Sequence, residues 1–143
     1  MSAFHFESTW TVAAPPAEVH AVLVDLEHYP DWWPQVLAVA KIDDDTARVL
    51  CRSTLPYTLD LVLGAVHREP TLLETTISGD LSGTVRWRLS PVVGGTRLDH
   101  DQDVDVTGRL PALVARPLGP VLRWNHDRMM AGCLRGLRRR LAG

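Results

Sequence analysis

The sequence predicts an α+β domain: a seven-stranded antiparallel sheet, two short helices after its first strand, and a long helix at the C-terminal end. Three observations carry this. Residues 4–12 alternate along the chain. Residues 36–106 form a succession of β-like runs divided by short breaks. Residues 121–141 contain no proline and gather their apolar side chains on one helical stripe.

In the first element, Phe4, Phe6, Trp10 and Val12 share one parity, which is the period of a half-buried strand. Pro15-Pro16-Ala17-Glu18 then combines early proline with an acidic first turn, a helix start. Val19, Val22, Leu23 and Leu26 continue at helical spacing to about Leu26. His28-Tyr29-Pro30-Asp31-Trp32-Trp33-Pro34 is too rich in proline for a long helix and reads as a turn or one short helix.

Strands are expected near 36–42, 46–54, 57–67, 71–78, 83–90 and 96–106. The breaks fall at Asp43-Asp44-Asp45, Pro56, Glu69-Pro70, Gly79-Asp80 and Gly94-Gly95, and such short connections mean an antiparallel meander. In the last strand Leu98, His100, Gln102, Val104 and Val106 share one parity, and Asp99, Asp101, Asp103 and Asp105 the other. A face with four carboxylates must meet water, so His100 and Gln102 point inward. On the strand before, Arg86 and Arg88 are placed to pair with those aspartates.

Pro111, Pro117 and Pro120 predict a broken start to the terminal helix. From Val121 to Leu141, Leu122, His126, Met129, Met130, Cys133 and Leu137 fall on one stripe. Trp124, Arg128, Ala131, Arg135 and Arg138 fall opposite. A seven-stranded sheet curls, and one helix cannot fill its concave side, so a cavity is expected between them.

Composition narrows the function. The chain has 143 residues, 45% hydrophobic and 22% charged, which suits one globular domain spanning 1–143. No apolar run approaches the roughly 18–20 residues of a membrane span, which argues against integral membrane association, and the start lacks the order of a signal peptide. Cys51 and Cys133 read as reduced thiols, and the cytoplasm is the expected location. The net charge of −2 hides an asymmetry: residues 107–143 hold eight arginines against Asp127, so the remainder is strongly acidic. A solvated helix face explains this most simply, and arginines near the helix end suit its dipole. No glycine loop of phosphate-binding context and no interleaving of aromatic and basic residues occurs, so nucleotide cofactors and nucleic acid are disfavoured.

The order of elements and several motifs together resemble the START/Bet v 1-like superfamily, in its bacterial polyketide cyclase/dehydrase and lipid-transport branch. The carriers are Val12-Ala13-Ala14-Pro15-Pro16-Ala17-Glu18-Val19, the Tyr-Pro-x-Trp-x-Pro pattern within Asp25–Pro34, Trp87-Arg88-Leu89-Ser90-Pro91 followed by Gly95-Thr96-Arg97, and the long terminal helix. The resemblance covers the whole chain and implies the helix-grip fold, a curved sheet wrapped around the terminal helix. It implies a ligand that is lipid-like or polyketide-like, or a cyclisation reaction, without choosing between them. Trp32 matches the family's tryptophan and is expected to close one end of the sheet.

The inward polar residues are the candidate site. His100, Gln102, His126 and Tyr57, with His67 at the same parity as Leu59, would converge on the cavity if the superfamily packing holds. They offer a ligand oxygen several donors and acceptors. His100 or His126 titrates in the range of a general acid or base, and an aldol-type cyclisation needs a base, a donor for the enolate and a shape that folds the substrate. Trp10 and Trp87 are inward by parity, as core or pocket wall. Trp33 caps the cavity or lies on the surface, and Met129 and Met130 pack or line the pocket. Two histidines without an inward carboxylate make a poor metal site, so no metal or cofactor is expected.

Three functions follow. The first is binding of a hydrophobic small molecule. The second is a polyketide cyclase, aromatase or dehydratase using the same cavity. The third is a protein-interaction or toxin-like module on the face of Arg128, Arg135, Arg138 and Arg139. Monomer and homodimer are both compatible with the sequence.

Overall fold

The structure, a computed structural model, describes residues 4–52, 58–106 and 119–142. Strand β1 (Phe4–Val12) leads to helix α1 (Pro16–Val24) and a 3-10 turn (Leu26–Asp31). The meander follows as β2 (Val36–Asp43), β3 (Thr46–Arg52), β4 (Thr58–Glu69), β5 (Leu72–Gly79), β6 (Leu81–Val92) and β7 (Gly95–Val106). The chain ends in helix α2 (Gly119–Ala142). All strand pairs are antiparallel, and the order across the seven-stranded sheet is β1-β7-β6-β5-β4-β3-β2. The expected fold class is therefore the observed one.

Differences in element length have local causes. Helix α1 stops at Val24 rather than near Leu26, because the backbone leaves helical geometry at Asp25 and tightens into the 3-10 turn. Tyr29 anchors that turn: its buried hydroxyl donates to the Leu23 carbonyl. Strand β6 runs to Val92, past Pro91, because the hairpin turns at Val93-Gly94, where Gly94 takes a φ of 82° that other residues rarely adopt. Strand β4 carries a bulge between Ala65 and His67, which breaks the simple parity read for His67. The features expected at Pro56, Tyr57, Pro111 and Pro117 lie outside the described residues, as does the end of the strand expected to reach 54.

The alternation on β7 holds. Leu98, His100 and Val104 are buried. On the opposite face Asp101 accepts from Arg86 at 3.0 Å and Arg88 at 3.3 Å, and Asp99 accepts from Thr9 at 2.9 Å. Arg86 also reaches Glu74 on β5 at 2.8 Å, so its guanidinium bridges three strands. The inner face builds one core with α1 and α2, including Val12, Val19, Leu23, Val49, Leu89, Leu98, Cys133 and Leu137.

Two glycines seat α2. A Cβ on Gly136 would lie 1.7 Å from the Trp32 carbonyl oxygen, and one on Gly132 would lie 2.3 Å from Oε1 of Gln35. With no side chain at either position, the helix presses directly on the Trp32–Gln35 segment. Trp32 is buried there, and Nε1–H of Trp33 donates to the Met129 carbonyl of α2 at 3.1 Å. On the far side, Arg123 donates to the His5 carbonyl at 3.1 Å and Arg138 to the Thr11 carbonyl at 3.2 Å. Arginines of the basic helix thus tie it to β1. Arg123 also covers the rings of Phe4 and Phe6.

Candidate functional site

Between the inner sheet face and α2 lies a cavity of about 170 Å³. Its floor is aliphatic, with Val49 and Cys51 from β3, Leu59, Leu61 and Leu63 from β4, and Leu73 and Ile77 from β5. Each comes from the inward parity of its strand. Val85 and Trp87 of β6 and His100 and Gln102 of β7 continue the wall. Met129, Met130 and His126 of α2 form the roof, and Leu23, Tyr29 and Trp33 close one side.

The structure brings together His100, Gln102, His126, Trp33, Trp87, Met129 and Met130, all singled out by pattern. Trp10 is not in the lining; it packs beside the wall against Trp87 on the same face, with ring centroids 5.5 Å apart. Tyr57 lies outside the described residues. His67 sits at the cavity's outer end, exposed, with Nδ1 3.0 Å from Glu69. Parity alone did not single out Tyr29, which reaches the cavity from the 3-10 turn. Phe6, placed on the inner face by parity but not among the site candidates, stacks on His126 at 3.7 Å between centroids.

The two imidazoles are the polar centre. Their centroids are 6.2 Å apart and their planes nearly parallel, at 22°. His100 also leans on Trp87, at 4.6 Å. Nε2 of His126 lies 3.2 Å from Oε1 of Gln102. Donation of the Nε2–H to that carbonyl leaves Nδ1 as the acceptor, and Nδ1 is buried without a partner. Both nitrogens of His100 are buried without partners as well. Burial pushes the His100 pKa down to about 4, against smaller opposing pulls from Asp101 and from the Gln102 side chain. Burial pushes His126 down to about 3, and His100 and the Arg123 guanidinium add to the effect. Both rings are therefore neutral at pH 7.

The thiols offer no nucleophile. Burial pushes Cys51 up to about 12 and Cys133 higher still. Among the described residues, no three His, Cys, Asp or Glu side chains gather where a metal ion could be held. No described helix is long and apolar enough to cross a membrane. The arrangement can enclose an apolar guest and offer it neutral hydrogen-bonding edges.

The comparisons with known proteins agree with this architecture. A protein of the START superfamily from Mycobacterium smegmatis has a similar structure, with a TM-score of 0.76 at 20% identity, over 96% of this chain and 97% of that one. A protein from Thermus thermophilus is similar at a TM-score of 0.84 and 16% identity, over 97% of each chain. The Zhui aromatase/cyclase from a Streptomyces species is similar at 0.77 and 19% identity, over 97% of this chain and 93% of that one. At these identities the likeness shows the fold. No curated protein sequence matches the chain. The family model described as polyketide cyclase/dehydrase and lipid transport matches residues 3–142, nearly the whole length. With the helix-grip architecture and the cavity in place, that match settles the family: the chain belongs to the polyketide cyclase/dehydrase and lipid-transport family.

Proposed function

We propose that the protein binds a hydrophobic small molecule in the cavity between its sheet and α2. One observation carries this reading: an apolar cavity of about 170 Å³ lined by two buried histidines, His100 and His126, three of whose nitrogens are buried with no partner in hydrogen-bonding geometry. Removal of apolar surface from water supplies the affinity. His100, Gln102 and His126 orient the guest, and Trp33, Trp87, Met129 and Met130 shape it. The two free, buried cysteines support a reducing compartment, and so the cytoplasm.

Catalysis by a cyclase, aromatase or dehydratase in the same cavity is the second reading. The neutral imidazoles and the structural likeness to an aromatase/cyclase favour it. Basicity weighs against it. A base works best with a pKa near the working pH, and about 4 and about 3 are far below that. The interaction-module reading loses support at Arg138, the one arginine of its face that donates to β1 among the described bonds.

Native mass spectrometry of gently purified protein, followed by extraction, tests the binding reading. A co-purified mass of a few hundred daltons or less supports it. Protein that carries no such mass from any source, and that takes up no neutral apolar probe in solution, overturns it. Replacing His100 or His126 by Ala separates binding from catalysis. A binder loses affinity modestly, whereas loss of a general base costs turnover roughly 10²–10⁴-fold.

A further inference from the structure

The cavity also restricts what its guest can be, and this inference rests on the binding reading above. Size is the first restriction. An apolar cavity of roughly 150 Å³ takes a benzene-sized guest, and pockets for drug-sized ligands run to about 300–1,000 Å³. At about 170 Å³ the space here matches a compact ring system. A long acyl chain or an extended polyketide would have to push the walls apart.

Charge is the second restriction. The described lining contains no carboxylate. Its one guanidinium, Arg68, stands at the outer end and is held by Asp45 at 2.8 Å. Arg86 and Arg88 are on the outer sheet face with Glu74 and Asp101. Inside of Arg68, nothing in the described lining compensates a buried carboxylate or phosphate, and a buried unpaired charge is strongly disfavoured. A cation meets no carboxylate in the described lining.

Hydrogen bonding is the third. A neutral imidazole has one donor and one acceptor. Neither His100 nitrogen has a partner in hydrogen-bonding geometry, although the Gln102 side chain is close enough to act on the ring, and His126 leaves its Nδ1 acceptor unused. Both rings line the cavity, and rotation about χ2 exchanges a carbon edge for a nitrogen edge. A guest with a neutral O–H or N–H satisfies what the protein itself leaves unmet. The planar walls of Trp33, Trp87 and the two imidazoles suit a flat guest. We infer that the cavity selects a compact, uncharged compound of one or two rings bearing a hydroxyl or N–H group, of the phenol or naphthol type, and rejects carboxylates and long-chain lipids.

Four probes at pH 7.5 test this by calorimetry and thermal shift: 2-naphthol, naphthalene, 2-naphthoate and palmitate. 2-Naphthol is expected to raise the melting temperature and to bind at least about fivefold more tightly than naphthalene, the gain of one added hydrogen bond. 2-Naphthoate and palmitate are expected to give no shift. H100F should reduce the naphthol preference, read as the ratio of naphthol to naphthalene affinity within the same variant, and H100F/H126F should erase it. H126F gives the same readout should H100F fail to fold. Naphthoate or palmitate binding as tightly as naphthol overturns the class inference and leaves the cavity reading standing. Equal affinity for naphthol and naphthalene in the unmodified protein also overturns the class inference. Failure of all four probes overturns the binding reading itself.

Discussion

Acidification should destabilise this protein well above the pH at which its carboxylates protonate. His100 and His126 are buried neutral, with pKa values of about 4 and about 3, whereas a histidine in the unfolded chain titrates near 6.5. Between those values the unfolded state holds more protons than the folded state, so stability falls as pH falls. The contribution is fully present above about pH 6.5 and is lost toward the folded values. At pH 5, linkage gives a loss of about 2 kcal/mol for His100 relative to pH 8, and about the same for His126. Together, ~4 kcal/mol is a large share of the roughly 5–15 kcal/mol that holds a typical domain folded.

Urea unfolding at pH 8 and pH 5 measures this. With an m value of roughly 2 kcal/mol/M, the midpoint should drop by about 2 M. Surface histidines pull the other way. His5 is raised by Glu7 and Asp103, and His28 by Asp25, so both favour the folded state on acidification. Both are exposed, and solvent screening keeps their effect small. The H100F/H126F variant removes the buried pair and should flatten most of the pH dependence. A wild-type midpoint that does not move between pH 8 and pH 5, or a double variant that falls as steeply as wild type, would refute the reasoning.

Further outcomes follow from packing and pairing, each read by urea or thermal unfolding. G136A should cost about 3 kcal/mol or more, because the new Cβ meets the backbone oxygen of Trp32, which cannot step aside. G132A should stay within about 1 kcal/mol of wild type, since the Gln35 side chain can swing away and alanine favours the helix. T96V should cost about 1–2 kcal/mol, because the buried Thr96 hydroxyl donates to the Ala14 carbonyl at 2.7 Å and valine leaves that oxygen unmet. R86Q should cost no more than about 1 kcal/mol, and the difference should shrink with added salt, because the bridge it breaks is partly in water.

What was legible in the sequence follows from what period two and period 3.6 can encode. The strand β7 alternation places His100 inside and the aspartates outside because one face of a sheet must be wet, and the arginines of β6 answer them across the ladder. The stripe on α2 puts His126 beside Met129 and Met130 for the same kind of reason. Contacts between elements were not legible. Trp10 has the right parity yet packs beside Trp87 outside the lining, because parity gives a face and not a position along it. His67 follows a bulge, and one extra residue cancels any parity argument. Gly132 and Gly136 look like ordinary helix residues of low propensity. Their purpose shows only when the Trp32–Gln35 segment is laid across them.

The outer and inner faces of the sheet are linked by one constraint. Alternation sends the charges of β6 and β7 outward, where Arg86, Arg88, Asp99 and Asp101 find one another and water. The residues left to face the cavity are then neutral by construction: Val85, Trp87, His100 and Gln102. Neutrality in turn lowers the histidine pKa values, since no inward carboxylate of the described lining stands by to stabilise an imidazolium. A general base in this place would need such a partner. The residue that fills the position beside His126 is Gln102, an amide at 3.2 Å that fixes the tautomer and adds no charge. The pattern that makes the sheet wet on one side leaves the other side neutral and its imidazoles weak bases, which supports the proposed binding reading over the catalytic one.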